Sequence, residues 1–354
     1  MSLASEVQRV ASDYLGCEYE EITFSNSTTK SLNLVWSGLG EGRVVEKGDV
    51  ILTTTTEHEG GLSGLTFLAE QKGVRIIKLD VGLDRDVTKG CILDLFEEKF
   101  GEFEGLVKAV FISHVSCVTG VRNPIKELAK MAHDNGAIIV VDGAQGAGAV
   151  RTKVGELGCD VYTASCQKWT LGPTASALLY VKKEVKEKMK VCEWQNGGSL
   201  GEEAVASFTS SFYTHSIGTN NEGIMFGLKR SIDFLESFGY SEGRIEAHNL
   251  AVRDEFYEYL SEVVLKEHPD VVMYSPRPES ELKSPLVTIS LGERTPLSCF
   301  SYLYQKDFVI KMVSNNQCGS NCKNAVRFAF HGYNTKEEGR ELVDALKSFL
   351  DSTI

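Results

Sequence analysis

Apolar residues in this sequence occur in two patterns, short continuous runs and longer stretches in which they recur three or four positions apart. A short run rich in Ile and Val and bounded by glycines is typical of a buried parallel strand, whereas the longer spacing predicts an amphipathic helix. The two patterns alternate through the first half of the chain, which favours right-handed βαβ units and a mainly parallel sheet. The predicted strands are residues 21–24, 49–54, 74–79, 107–113, 137–141, 160–164 and 177–181, and the predicted helices include 4–15, 60–72, 91–100 and 125–135.

The pattern changes after residue 181. The highly charged segment 182–190 is typical of a solvated helix, and long helices then extend to about residue 265. The elements that follow indicate a smaller α+β unit with strands 286–291, 308–313 and 326–330, helix 295–305, and a last helix that Thr335 caps with Glu338. We therefore expect a large α/β domain over residues 1–240 and a small α+β domain over residues 241–354.

Composition narrows the class of protein. The 354 residues are 42% hydrophobic and 24% charged, which is ordinary for a globular chain long enough for two domains. A formal net charge of -12 disfavours nucleic acid and anionic membranes as partners, because both need a basic face. No apolar run approaches the roughly 20 residues of a membrane span, and no signal-peptide pattern opens the chain. We expect a cytoplasmic enzyme.

The nine cysteines are scattered and odd in number, which disfavours the disulfide framework of a small secreted protein. The one close pair, Cys318 and Cys322, is a single C-x3-C, and without a second pair it is a weak signal for zinc. No metal site is predicted.

Two ionisable residues follow neighbouring predicted strands. Asp142 ends the run 137–141, and Lys168 comes shortly after the run 160–164. Open α/β sheets bind their ligands at the carboxyl ends of strands, and burying an acid and an amine there is unfavourable unless both have partners. A pyridoxal phosphate suits both, with its aldehyde bonded to the lysine and its ring nitrogen facing the aspartate. The alternative, that Asp142 caps a helix and Lys168 is an ordinary loop lysine, is open on this pair alone.

The surrounding motifs extend this pattern. The sequence VDGAQ at 141–145, followed by S-x-Q-K-W-x-x-G-P at 165–173, resembles the class V aminotransferase family of fold type I pyridoxal-phosphate enzymes. That family includes cysteine desulfurases, cysteine and cystine C–S lyases, and isopenicillin N epimerase-like proteins. The resemblance runs over nearly the whole chain. It implies an α/β fold with a mainly parallel seven-stranded sheet, strand 177–181 running opposite to the others, and a smaller C-terminal α+β domain.

The resemblance also implies roles for individual residues. Lys168 would hold the cofactor and take the substrate Cα proton, while Asp142 would keep the pyridine nitrogen protonated. His58, in the segment T-E-H, would stack on the ring, and Gln145 would bond its phenolic oxygen. Arg327 would bind the substrate α-carboxylate, a task that suits its planar fork of donors. The residues implied at the cofactor phosphate are Thr28, Thr29, Ser165 and Gln167.

Residue patterns alone leave simpler readings open for several of these positions. Ser27, Thr28 and Thr29 precede an apolar helical run and fit a helix cap, although a helix N-terminus is also a ready phosphate site. A lone His58 is more often a hydrogen-bonded structural residue. Arg327 alternates with the apolar residues of its predicted strand and fits a surface position.

The segment 214–221, THSIGTNN, resembles the family segment whose Gly-Thr reaches the cofactor phosphate of a partner subunit. Gly218 and Thr219 take that role by position, which implies a homodimer with shared active sites. A turn before the next helix is the alternative.

Several positions depart from the family pattern. Lys30 stands where an acidic residue is usual, Cys117 where desulfurases commonly have Asn, and Gln167 where many have His. Desulfurases take the substrate sulfur on a loop cysteine, and Cys318 is the candidate thiol here, with Cys322 as the other option. Relatives also carry a further upstream segment that helps cover the site, so the resemblance implies a chain that is a short variant or a piece of a longer protein.

We therefore predict a pyridoxal 5′-phosphate enzyme that acts on a small α-amino acid. Cysteine desulfurase or cysteine/thioether C–S lyase chemistry ranks first. Transamination or epimerisation is the alternative within the family. A catalytically silent relative that only binds the cofactor is the alternative from another class, and it is disfavoured by the presence of Asp142, Lys168 and Arg327 together.

Overall fold

The computed structural model describes residues 3–190, 221–313 and 324–352. These residues form two β-sheets with helices packed against them. The predictions for Gly218, Thr219, Cys318 and Cys322 lie outside the described residues. None of the described helices is both long and apolar enough to cross a membrane.

Seven strands form the larger sheet, in the order β1-β7-β6-β5-β4-β2-β3. Strand β7 is antiparallel to both of its neighbours, and the other pairs are parallel. The prediction of a mainly parallel seven-stranded sheet with one opposed strand is confirmed. The strands are β1 (Ile22–Ser25), β2 (Val50–Thr54), β3 (Arg75–Leu79), β4 (Val107–Ser113), β5 (Ile138–Asp142), β6 (Val161–Ser165) and β7 (Ala177–Val181).

Helices cover both faces of this sheet, and alternate strand residues therefore enter two separate hydrophobic cores. Along β4, Val110 and Ile112 pack into one core, and Ala109 and Phe111 into the other. Burial on both faces explains why the strands are continuous apolar runs in the sequence. The helices associated with this sheet are α1 (Leu3–Leu15), α2 (Thr28–Glu41), α3 (Glu59–Lys72), α4 (Lys89–Glu102), α5 (Ile125–Asp134), α6 (Val154–Leu157), α7 (Lys183–Lys186) and α8 (Glu222–Ser237).

The strand register brings polar residues together at one edge of the larger sheet. Ser113, the last residue of β4, pairs with Asp142, the last residue of β5, and Asp142 pairs with Thr163 of β6. Strand β6 ends two residues later at Ser165. The carboxyl ends of these parallel strands thus form the floor on which the site is built.

The second sheet has four antiparallel strands in the order β10-β11-β9-β8. Its strands are β8 (Val272–Met273), β9 (Leu286–Ser290), β10 (Lys311–Val313) and β11 (Ala325–Ala329). It packs with α9 (Arg244–Val263), α10 (Pro296–Tyr304) and α11 (Lys336–Ser352) around a core of its own. The last helix has the predicted capping box, because the Thr335 hydroxyl accepts from the Glu338 N–H at 3.1 Å and the Glu338 carboxylate accepts from the Thr335 N–H at 2.8 Å.

Three elements differ from the predictions. Only Lys183–Lys186 of the charged segment is helical, and Lys186 is buried because its amine donates to the carbonyl of Glu20. Strand β10 begins three residues later than predicted, since the Phe308 N–H donates to the Leu303 carbonyl and completes the end of α10. The two-residue β8 is too short to leave a periodic pattern.

The boundary between the two predicted domains at residues 240 and 241 stays a prediction. Helix α9 crosses from one core to the other, because Ile245 packs in the core of the larger sheet and Val252 in the core of the smaller.

Candidate active site

Two adjoining cavities lie where the larger sheet meets the smaller one. The inner cavity has a volume of about 270 Å³ and the outer cavity about 530 Å³. Every predicted site residue within the described ranges lines at least one of them: Thr28, Thr29, His58, Asp142, Gln145, Ser165, Gln167, Lys168 and Arg327. The fold therefore brings together predicted site residues from five separate segments of the chain.

Hydroxyl groups and a helix N-terminus form one end of the inner cavity. Ser27 caps α2 by accepting a hydrogen bond from the Lys30 N–H at 3.1 Å. The Thr28 hydroxyl lies 2.8 Å from the Ser165 hydroxyl, which joins the start of α2 to the end of β6. Gly60 approaches so closely that a Cβ there would lie 2.5 Å from Thr29 Oγ1. This end of the cavity has the donors and the helix dipole that suit a phosphate.

Asp142 lies on the floor of the inner cavity and is buried. Its Oδ1 accepts from the Ala144 N–H at 2.9 Å. Burial raises the pKa of the carboxyl, and the Ala144 hydrogen bond and the charge of Lys168 oppose that shift. Gly61 leaves space beside the second carboxylate oxygen, Oδ2. A Cβ added at Gly61 would lie 3.3 Å from this oxygen. A buried carboxylate with one oxygen facing a cavity needs a cationic or N–H partner there.

A second buried carboxyl, Glu57, accepts a hydrogen bond from Ser113, which lines the same cavity, and no sequence pattern singled it out. Its Oε1 accepts from the Thr54 hydroxyl at 2.8 Å, while Oε2 is buried without a partner among the described residues. Burial raises the pKa of Glu57 to about 7, and the nearby Asp142 adds to the effect. The only sequence signal was its place between Thr56 and His58.

His58 caps the N-terminus of α3 and lines both cavities. Its Nδ1 accepts from the Gly60 N–H at 3.0 Å, so the neutral ring carries its proton on Nε2. Burial lowers the pKa of His58, and the charge of Lys168 lowers it further. The capping bond fixes the ring at the cavity wall in a neutral state.

Lys168 lies at the junction of the two cavities. Its side chain reaches into the open cleft yet is enclosed by protein on the other sides. Burial lowers the pKa of its amine, and the cations Arg327 and Lys311 add to that effect, whereas Asp142 opposes it. A larger fraction of this amine is therefore uncharged, and nucleophilic, than of an ordinary surface lysine.

Gln145 is held in one orientation by Trp169. The indole Nε1 of Trp169 donates to Gln145 Oε1 at 2.7 Å, and because an indole N–H can only donate, the NH2 of Gln145 is left to face the cavity. Trp169 in turn stacks on His331 at 5.5 Å between ring centroids, and His331 Nε2 lies 2.8 Å from the Trp169 carbonyl oxygen. Tyr333 stacks on His331 at 4.9 Å and forms the outer wall.

Arg327 projects from β11 into the outer cavity, opposite to the apolar face formed by Val326 and Phe328. Its guanidinium donates to the carbonyl of Cys117, and its Nε is buried without a partner among the described residues. Burial raises the pKa of the Cys117 thiol to about 11, so this cysteine is protonated near neutral pH. Lys311, which the sequence analysis missed, lies directly opposite Arg327 on β10.

The arrangement fits a pyridoxal phosphate, because each part of the cofactor has a matching group. The hydroxyls and helix N-terminus suit its phosphate, the open oxygen of Asp142 suits a protonated ring nitrogen, and the free NH2 of Gln145 suits its phenolic oxygen. The fold and the cleft together define a fold type I pyridoxal-phosphate enzyme. Within the described ranges no group of three or more His, Cys, Asp or Glu side chains is placed to hold a metal ion.

Comparison with known proteins agrees with this class. The family model described as aminotransferase class-V matches residues 2–342. A probable cysteine desulfurase of Halalkalibacterium halodurans is 31% identical over 344 residues, which cover 94% of this chain and 78% of the relative. The apo structure of a cysteine desulfurase from Thermococcus onnurineus NA1 matches with a TM-score of 0.84 at 26% identity, covering 99% of this chain and 84% of that one. A cystine C–S lyase in complex with cysteine persulfide shares the fold, with a TM-score of 0.81 at 17% identity over 98% of this chain and 86% of that one.

This chain belongs to the class-V aminotransferase family. The predicted family, the fold type and the cofactor of the family, pyridoxal 5′-phosphate, are thereby confirmed, as is the prediction of a pyridoxal-phosphate-dependent enzyme. The roles of the individual site residues stay predictions.

Proposed function

We propose that this protein is a pyridoxal-phosphate-dependent cysteine desulfurase that releases sulfur from L-cysteine. One observation carries the proposal: Lys168, Asp142 and Arg327 line adjoining cavities, with an amine between a buried carboxylate and a guanidinium. In this order, the carboxylate of Asp142 would contact the cofactor ring and the guanidinium of Arg327 would contact the substrate carboxylate. The reacting carbon of the substrate would lie between them, beside the amine of Lys168. The relatives named as cysteine desulfurases support sulfur as the leaving group.

Different residues of the inner cavity would bind different parts of the cofactor. Thr28, Thr29, Ser165 and Gln167 would hold the phosphate, with the N-terminus of α2 contributing its dipole. Asp142 would pair with the ring nitrogen, which would give this buried carboxylate a cationic partner. His58 would stack on the cofactor ring and hold its plane in place. When bound, the cofactor supplies an electron sink for the negative charge left on the substrate Cα.

Lys168 holds the cofactor and then serves as the general base. Burial and the neighbouring cations favour the neutral amine, which is the form that accepts the proton from Cα. Arg327 fixes the substrate by its α-carboxylate, and the carbonyl of Cys117 holds the guanidinium in place. With the substrate held in this way, its Cα proton points toward the amine of Lys168.

Sulfur transfer needs a protein thiol, and we propose Cys318 for this role. Its segment, residues 314–323, connects the two strands that carry Lys311 and Arg327. A thiolate at this position attacks the substrate sulfur, the new S–S bond forms as the C–S bond breaks, and the electron pair of the C–S bond stays with carbon. That carbon then takes a proton, and the products are alanine and a persulfide on the protein. Cys117 is unsuited to this step because its thiol is protonated.

We further propose that the enzyme is a cytoplasmic homodimer in which Gly218 and Thr219 contact the phosphate in the partner's site. The resemblance of segment 214–221 to the family segment that crosses a dimer interface supports this.

The proposed function is tested by incubating the pyridoxal-phosphate-loaded protein with L-cysteine and a thiol reductant. We expect alanine and sulfide in equal amounts, loss of sulfide production in C318A, and normal activity in the control C91A, whose cysteine is exposed on α4 and lines neither cavity. Pyruvate in place of alanine, with C318A fully active, would indicate a C–S lyase. A keto acid without sulfide would indicate transamination, loss of optical activity would indicate epimerisation, and a stable spectrum without products would indicate a silent relative.

A further inference from the structure

The outer cavity is positively charged on the side away from the cofactor site. The cations Lys311 and Arg327 line it together with Lys168, whose amine would be bonded to the cofactor, and no Asp or Glu is among the described residues of its wall. Asp142 lines only the inner cavity, where the ring nitrogen of the cofactor would neutralise it. The substrate half of the cleft therefore has an excess of positive charge.

Lys311 and Arg327 form the centre of this excess. They are directly opposite each other in the β10–β11 ladder, and opposite residues of an antiparallel pair project to the same face with Cα atoms roughly 4.5–5.5 Å apart. Like charges at such positions repel and destabilise the strand pair. The fold nevertheless keeps these two cations directly opposite each other.

Neither side chain has an acidic partner in the described part of the chain. Among the described residues no carboxylate forms an ion pair with Lys311 or Arg327, and the only side-chain hydrogen bond of Arg327 goes to the carbonyl of Cys117. The buried Nε of Arg327 has no acceptor among the described residues. The connecting segment 314–323 contains no Asp or Glu in its sequence and adds one lysine, Lys323. Neither the two strands nor the segment that connects them supplies a counter-ion for Lys311 and Arg327.

We infer that the substrate supplies two anionic groups, so that Arg327 binds its α-carboxylate while Lys311 binds a second anionic group on its side chain. This rests on the proposed function, since it takes Arg327 as the carboxylate site, and it refines the substrate class to α-amino acids with an ionised side chain. The spacing of opposite strand residues suits groups separated by two or three carbon atoms. A side-chain carboxylate supplies this second anionic group at any pH near neutrality, and the thiol of cysteine supplies it in its ionised form.

The test compares two amino acids of the same shape that differ in charge. L-aspartate and L-asparagine are titrated into the pyridoxal-phosphate-loaded protein at one pH and ionic strength, and each Kd is taken from the change in the visible spectrum. The wild type should bind aspartate at least about tenfold more tightly than asparagine, as expected for one added charged hydrogen bond. K311M should lose that preference by weakening aspartate binding, and K311R should keep it.

A matched control separates a local contact from the overall charge. K306M removes the same charge from an exposed lysine of the smaller unit that packs on Tyr302 outside the cleft, and it should bind both amino acids as the wild type does. Equal binding of aspartate and asparagine by the wild type, or a preference that survives in K311M, would overturn the inference. L-cysteine is the reference: if it alone changes the spectrum, the inference fails and the proposed function stands, and if no amino acid changes it, both fail.

Discussion

The indole N–H of Trp169 donates to the side-chain oxygen of Gln145 at 2.7 Å, and this bond links the residue after Lys168 to a residue that lines the inner cavity. His331 holds the other side of Trp169 by stacking and by its contact with the Trp169 carbonyl oxygen. An amide can point either way, so the orientation of Gln145 depends on a donor that comes from elsewhere in the chain.

Replacing Trp169 by Phe should loosen this orientation without emptying the site. The Phe ring can still stack on His331, but the amide of Gln145 loses its donor. We expect pyridoxal phosphate to bind with a shifted absorption band and kcat/KM for L-cysteine to fall about two- to tenfold, the effect of one neutral hydrogen bond. An unchanged band and unchanged kinetics would show that Gln145 is oriented without Trp169.

Arg327 should affect substrate binding more than turnover. R327A should raise the KM for L-cysteine by roughly 30- to 150-fold, which corresponds to about 2–3 kcal/mol of charged hydrogen bonding. R327K keeps the charge but not the planar fork, and it should fall between R327A and the wild type. Steady-state kinetics of the three proteins check this, and a wild-type KM in R327A would move the carboxylate site elsewhere.

Glu57 should make the stability of the protein depend on pH. Its pKa is raised to about 7 in the folded state, so its neutral form is favoured and the folded protein loses stability as the pH rises from near 4.5 through 7. E57Q keeps the shape without the charge. It should match the wild type near pH 5 and exceed its free energy of unfolding by roughly 2–3 kcal/mol near pH 8.

Denaturant unfolding of the cofactor-free proteins at the two pH values measures this difference. E57D retains an ionisable carboxyl and provides the control, because it should keep a pH-dependent loss of stability. If E57Q and the wild type lose stability in parallel between pH 5 and 8, Glu57 does not titrate in this range.

Local patterns in the sequence identified most of the fold. Strand β4 (Val107–Ser113) was predicted at its observed bounds, because a buried parallel strand is a continuous apolar run. The helix over 182–190 was wrong, since a row of charges does not reveal that Lys186 is buried against the carbonyl of Glu20.

The sequence identified site residues that end a predicted strand or lie in a motif, as Asp142 and Lys168 do. Lys311 and the partners of Trp169 were not identified, because their positions depend on contacts between distant segments. Nothing in the strand 308–313 indicates that its lysine faces Arg327, which depends on the register with β11. Likewise, the contact of His331 with Trp169 spans 162 residues.

The most direct test of the central claim is to locate the covalently bound cofactor. The pyridoxal-phosphate-loaded protein is reduced with borohydride, digested, and analysed by mass spectrometry, with K168A as the control. Reduction should fix the pyridoxyl group on Lys168 in the wild type and leave K168A unlabelled. Labelling of a different lysine, or equal labelling of K168A, would contradict the assignment of this cleft as the active site.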